Sequence, residues 1–129
     1  MTPFKKKTFI AVVQLVLAGS ALCATFDVDA DLMRGIDDTV KSLDSNVAQK
    51  DAKAAVTDAR SLVDTFALVE SHYGEKPETA DAVGFAHRTH DLAAQALKAL
   101  EAQDFDTAGD AVAQLTRSCK TCHEVYKKD

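Results

Sequence analysis

Tryptophan is absent from this 129-residue chain, proline occurs twice and glycine five times, and aromatic residues make up only 6%. So few turn formers, beside abundant alanine, favour closely packed helices over strands joined by tight turns. Cysteine is also scarce, with three in the whole chain, too few for a disulfide-stapled scaffold. Basic side chains are outnumbered 15 to 20 by acidic ones, which argues against nucleic acid and anionic membrane surfaces as partners. Long apolar runs are missing too. The longest lies near the start and falls short of the about 20 residues that a membrane span requires.

That first apolar run has the layout of an export signal. Lys5, Lys6 and Lys7 form a positive region, Phe9 through Ala18 an apolar one, and small residues follow up to Ala24. Cleavage after Ala24 is expected, with Ala21 as the alternative, so residues 1–24 are assigned to a signal peptide and residues 25–129 to one folded domain. Lipidation at Cys23 is the competing reading. Leu22 before it fits poorly, because bacterial lipidation favours a small residue there. Loss of the leader removes Cys23 and three lysines, leaving 12 basic against 20 acidic side chains, a net charge of −8. A basic patch on a partner protein suits that balance, and so does simple solubility.

Four amphipathic stripes follow. Leu32, Ile36, Val40, Leu43 and Val47 draw one apolar face on a helix starting at Asp29 or Asp31 and ending near Gln49. Asp51 caps a second helix with Ala55, Val56, Ala59, Leu62, Val63, Phe66 and Val69 on its face, closed by Gly74. Pro77 marks the loop over Glu75 to Thr79. A third helix, from about Thr79 to Glu101, carries Ala82, Val83, Ala86, Ala93, Ala96, Leu97 and Leu100. Asp104 caps the fourth, where Phe105, Ala108, Val112, Leu115, Cys119, Cys122 and Tyr126 recur at steps of three and four. Short connections make an all-α, antiparallel up-down-up-down four-helix bundle the expected packing.

The chemistry is concentrated in Cys119-Lys120-Thr121-Cys122-His123. A C-x-x-C-H run offers two thiols able to bond the vinyl groups of a haem and an imidazole able to bind its iron. On a helix all three share a face, and both cysteines continue the apolar stripe, so what they hold lies between helices. Two alternatives compete. A dithiol exchange pair normally begins a helix after a strand, where the helix dipole lowers the thiol pKa. A zinc site would need His87 and His90 to join the two cysteines.

The expected topology places the end of the fourth helix beside the start of the first. At about 1.5 Å per residue, Met33 and His123 stand at matching heights, about 6 and 8 Å from their respective helix ends. Met33 is therefore the expected second axial ligand, with packing on the haem face as its alternative role. His72, His87 and His90 fall in the same half, and His87 is a secondary ligand candidate. Phe66, Val69, Val83 and Phe85 are candidate pocket walls, and Arg34 and Arg88 candidate partners for haem propionates. No catalytic acid, base or nucleophile constellation is present, so the chain is not expected to be an enzyme.

With its leader, four helices and C-x-x-C-H on the last, the chain resembles the class II c-type cytochromes, the cytochrome c prime family. The resemblance covers the whole mature sequence and rests most on Cys119-Lys120-Thr121-Cys122-His123-Glu124-Val125-Tyr126-Lys127, because that family attaches haem near its C-terminus. Tyr126 and Lys127 match its aromatic and basic positions after the ligand histidine. The resemblance implies one covalently bound heme c, a periplasmic location, and either of two activities. Low-spin members carry a methionine near the start of the first helix, as Asp31-Leu32-Met33-Arg34 does, and transfer electrons between redox partner proteins. High-spin members leave the sixth position open and bind nitric oxide or carbon monoxide. Many members form homodimers through the first two helices. Electron transfer by a monohaem cytochrome is the expected function, with gas binding as the alternative and a zinc-stabilised helical module as a third.

Overall fold

The structure, a computed structural model, describes residues 26–126. The expected signal peptide over residues 1–24 and the family-matched Lys127 lie outside the described residues. Four α-helices account for most of the rest: α1 (Ala30–Ala48), α2 (Ala52–Gly74), α3 (Ala80–Glu101) and α4 (Phe105–Tyr126). They pack in cyclic order, each touching the next, with α1 also against α4. The pairs α2–α3 and α3–α4 are the most extensive.

The helices begin where local chemistry predicts. Asp29, Asp51 and Asp104 each accept a backbone hydrogen bond three residues on, from Leu32 N at 2.8 Å, Ala54 N at 3.1 Å and Thr107 N at 3.0 Å. The α1–α2 and α3–α4 connections share one design. Lys50 N donates to Val47 O and Asp51 N to Asn46 O, while Gln103 N donates to Leu100 O and Asp104 N to Ala99 O. Each is a Schellman turn whose last residue is the capping aspartate of the next helix. Both need a left-handed residue, and both use a side-chain-bearing one, with φ of 58° at Lys50 and at Gln103. The α2–α3 connection differs: Pro77 opens a short 3-10 turn over Pro77–Thr79. Thr79 Oγ1 donates back to Lys76 O at 2.9 Å.

The apolar stripes meet in one core. Leu43, Leu62, Leu100, Leu115, Val69 and Val112 are its largest fully buried side chains, each contributing about 1.5–3 kcal/mol by leaving water. Alanines at 55, 59, 93, 96 and 108 are wholly buried and let the helix backbones approach closely. Leu32, Val56, Val63, Val83 and Leu97, expected in the core, are only half-buried. They sit at the edges of their stripes, where burial tapers toward solvent.

Polar bonds set the register between neighbours. Ser42 Oγ and Asn46 Nδ2 on α1 both donate to Asp58 Oδ2 on α2, at 2.7 and 2.8 Å. Arg60 on α2 reaches Glu101 on α3 at 3.1 Å. Thr89 on α3 and Ser118 on α4 share a buried hydrogen bond of 2.9 Å. Thr89 Oγ1 already donates to Phe85 O at 2.8 Å, so the bond between them is donated by Ser118. A Cβ at Gly109, early in α4, would lie 3.8 Å from Val47 near the end of α1. The Ser42–Asp58, Asn46–Asp58, Arg60–Glu101 and Gly109–Val47 contacts gather the end of α1, the start of α2, the end of α3 and the start of α4 at one level, while the Thr89–Ser118 bond lies toward the other.

Candidate functional site

At the opposite level the core opens. A cavity of about 470 Å³ is bounded by the start of α1, the end of α2, the start of α3 and the end of α4. Its volume falls within the about 300–1,000 Å³ of typical ligand pockets. Met33, Cys119, Cys122 and His123, singled out from the sequence, all line it.

Helix geometry explains the grouping on α4. Cys119, Cys122 and His123 stand three and four residues apart and therefore share a face. Cys119 is mostly buried and continues the stripe that begins at Ala108, while His123 is exposed at the rim. Met33 comes from α1, one turn before Ile36, and is half-buried against the core. Phe66, Val69 and Phe85 form walls as expected. Val83 does not; Ala82 and Ala86 take its place, because they lie on the stripe that faces α2 and α4.

Both cysteines are free. Burial pushes the Cys119 thiol up to about 11, with the neighbouring Cys122 adding to it. Burial also raises the Cys122 thiol. Both are thus neutral thiols near pH 7, a poor match for a dithiol exchange pair, which works through a thiolate. Among the described residues, the side chains of Met33, Cys119, Cys122 and His123 enter no hydrogen bond or ion pair. Four donor side chains on one cavity, none engaged elsewhere, fit a flat, largely apolar group bearing a metal at its centre.

The other histidines are committed elsewhere. His87 Nδ1 lies 3.1 Å from Glu70 and its Nε2 3.4 Å from Asp91, on the outer surface of α2 and α3. His90 contacts Asp91 at 3.6 Å. His72 accepts from Lys76 Nζ at 2.8 Å and packs edge-on beneath Phe26. None lines the cavity, and among the described residues no three His, Cys, Asp or Glu side chains converge as a metal site. The zinc alternative therefore lacks its second pair of ligands, and His87 is removed as an iron ligand. Arg34 pairs with Asp31 on the exposed side of α1, and Arg88 lies in a separate groove between α3 and α4.

Tyr73 was not anticipated from the sequence. It ends α2, lines the cavity, and its ring lies 6.4 Å from that of Tyr126, which in turn meets Phe85 edge-on at 6.4 Å. Burial raises the Tyr73 phenol, and Cys122 adds to the effect. Thus α2, α3 and α4 are joined by aromatic contacts beside Cys122. The signal missed was that Tyr73 follows Phe66 and Val69 at steps of three and four. The polar lining of Asp37, Thr89, Thr116, Lys120 and Glu124 was likewise invisible to an apolar-stripe reading. Asp37 is held by Lys41 at 2.5 Å, and that carboxylate raises the Lys41 pKa.

Compared with known proteins, the chain matches no family profile, no curated sequence and no solved structure.

Proposed function

We propose that this chain is an exported monohaem c-type cytochrome of the class II kind, an electron carrier and not an enzyme, with its haem seated in the α1–α4 cavity. The observation that carries the reading is the convergence of Cys119, Cys122, His123 and Met33 on that single cavity. Cys119 and Cys122 hold the porphyrin as thioethers, each S–H adding across one vinyl group without a leaving group. His123 binds the iron from α4, and Met33 binds it from α1. Short connections and the levels at which helix ends meet support an antiparallel up-down-up-down topology, which brings the two ligands together from helices distant in sequence.

When bound, the haem supplies a one-electron ferric–ferrous couple. The protein contributes the setting. Ile36, Val40, Phe66 and Val69 exclude water from the cavity wall, which disfavours the more highly charged ferric state. A thioether ligand from Met33 acts in the same direction and raises the reduction potential relative to two imidazoles. Export to the periplasm is consistent with a mature chain whose only thiols are those of the haem motif.

Mass spectrometry of protein matured with haem-attachment machinery tests the core of this reading. The expected product is one haem heavier than the polypeptide, and the bare polypeptide mass would end the proposal. The ligand assignment has its own test. Met33→Ala should convert a low-spin ferric spectrum to high-spin while the haem stays attached. A wild-type spectrum that is already high-spin and binds carbon monoxide would shift the reading to gas binding.

A further inference from the structure

A second groove, of about 350 Å³, runs along the outside of the α3–α4 contact. It is lined by Phe85 and Arg88 from α3 and by Gln114, Arg117, Ser118 and Thr121 from α4. The buried Thr89–Ser118 bond clamps the helices at this level, and each arginine directly precedes one of its partners. The two guanidinium-bearing residues are therefore brought onto one groove by the register of the helix pair.

The charge here is opposite to that of the molecule. The mature chain carries −8, yet no carboxylate lines the groove. The arginines of α1 and α2 are spent internally, Arg34 on Asp31 and Arg60 on Glu101. Among the described residues, Arg88 and Arg117 make no ion pair. Asp91, one turn after Arg88, is the nearest acid, and it is engaged by His87 Nε2 at 3.4 Å and His90 Nδ1 at 3.6 Å. From Arg117 the nearest acids along its stripe, Asp110 and Glu124, are seven residues away, about 10 Å along the helix, which is about one Debye length at 0.1 M salt. Beyond Thr121 the same α4 stripe continues to Val125, a large hydrophobic side chain left 51% exposed. Two unpaired arginines beside exposed apolar surface have the make-up of a protein contact.

The groove also adjoins the cavity: Phe85 lines both. Resting on the haem reading above, we propose that the Arg88–Arg117 groove is the docking site for a redox partner protein that presents carboxylates around its own electron-transfer centre. Each guanidinium offers a planar fork matched to a carboxylate. The surrounding acidic surface repels such a partner elsewhere and so concentrates encounter at the groove. A concave site between helices suits projecting side chains better than a flat bilayer.

Hexacyanochromate(III), a redox-inert paramagnetic trianion, is the first probe, applied at low ionic strength to isotope-labelled haem protein kept reduced under carbon monoxide. Amide signals of Phe85, Arg88, Gln114, Arg117 and Thr121 should broaden most. The double variant Arg88→Gln/Arg117→Gln should lose that broadening by about fivefold, and Arg88→Lys/Arg117→Lys should keep it, since the effect depends on charge. Broadening centred elsewhere, or undiminished in the glutamine variant, overturns the proposal. Electron transfer is the second readout. Oxidation by anionic ferricyanide should slow in the glutamine variant, whereas oxidation by cationic tris(phenanthroline)cobalt(III) should not. Equal slowing of both, or of neither, places the groove off the electron path and overturns it as well. Arginine-dependent binding to phosphatidylglycerol vesicles would replace the protein partner by a membrane. Failure of haem attachment shows separately, as missing haem absorption.

Discussion

The two ends of this bundle are built from the same kinds of helix and reach opposite outcomes. At the end holding the Lys50 and Gln103 turns, alanines and leucines with no measurable exposure bring the helices into contact. At the other end bulky side chains, Phe66, Tyr73 and Phe85, stand around open space. The connections follow the same division. Two near-identical Schellman turns hold the closed end tightly, whereas the looser Glu75–Thr79 connection, with Pro77, spans α2 and α3 at the cavity end. Interdigitating alanines and leucines fill the closed end, whereas at the other end Ala82 and Ala86 leave space that Phe66, Tyr73 and Phe85 border and do not fill.

The sharpest way to break this comparison is to remove the thiols. Cys119→Ser/Cys122→Ser should abolish all haem that survives acid-acetone extraction, while far-ultraviolet circular dichroism still reports helix from the closed end. Complete unfolding of that variant would mean that the two ends are not separable. Next in size is the core itself. Leu43→Ala, at a fully buried site, should cost about 2–5 kcal/mol in urea unfolding, whereas Ile36→Ala, with one side already facing the cavity, should cost about 2 kcal/mol or less. Equal costs would deny that one end is packed and the other open.

Much of the closed end was legible in the sequence. Asp51 and Asp104 read correctly as caps because an aspartate before an apolar stripe acts locally, and the stripes of α1 and α2 located Leu43, Val47, Ala55, Ala59 and Leu62. At the cavity end, the C-x-x-C-H spacing and helical rise singled out Cys119, Cys122, His123 and Met33, which line one cavity. What escaped notice depends on tertiary pairing. Thr89 and Ser118 are polar and fell outside any apolar stripe, although each is buried because it satisfies the other. Arg88 was read as a propionate partner, but its position opposite Arg117 depends on the α3–α4 register, which no single helix encodes. Val83 was placed on the wrong edge of its stripe because α3, rich in alanine, marks its buried face weakly.

A smaller test concerns the paired turns. Lys50 and Gln103 occupy left-handed backbone with φ of 58°, a region in which a side chain costs about 1 kcal/mol and glycine none. Lys50→Gly and Gln103→Gly should therefore each stabilise the protein by about 0.5–1 kcal/mol. Their effects should add, because the turns belong to different helix pairs. Gly74, the last residue of α2, shows the reverse case: its φ is ordinary and a Cβ there would meet nothing within 4 Å, so Gly74→Ala should stabilise by about 0.4–1 kcal/mol. If the glycine substitutions destabilise instead, the turns are held by side-chain contacts of Lys50 and Gln103 and not by their backbone alone.

The smallest effect should appear at the Asp104 cap, and its pH dependence makes it identifiable. Asp104 accepts from Thr107 N at 3.0 Å and from Thr107 Oγ1 at 2.6 Å. These bonds, the side-chain one first, hold its carboxyl below the usual 3.8. A carboxylate depressed on folding stabilises the native state above its unfolded pKa, and that stabilisation fades as pH falls through the lower folded value. Asp104→Ala should consequently lower Tm at pH 7 and lose most of its effect once the pH is taken below the folded pKa, where wild type is protonated too. Thr107→Val, which removes only the hydroxyl donor, should show the same pH signature at reduced amplitude. A deficit in Asp104→Ala that persists unchanged into acid would show that the cap acts as a neutral acceptor for Thr107 N and not through its charge.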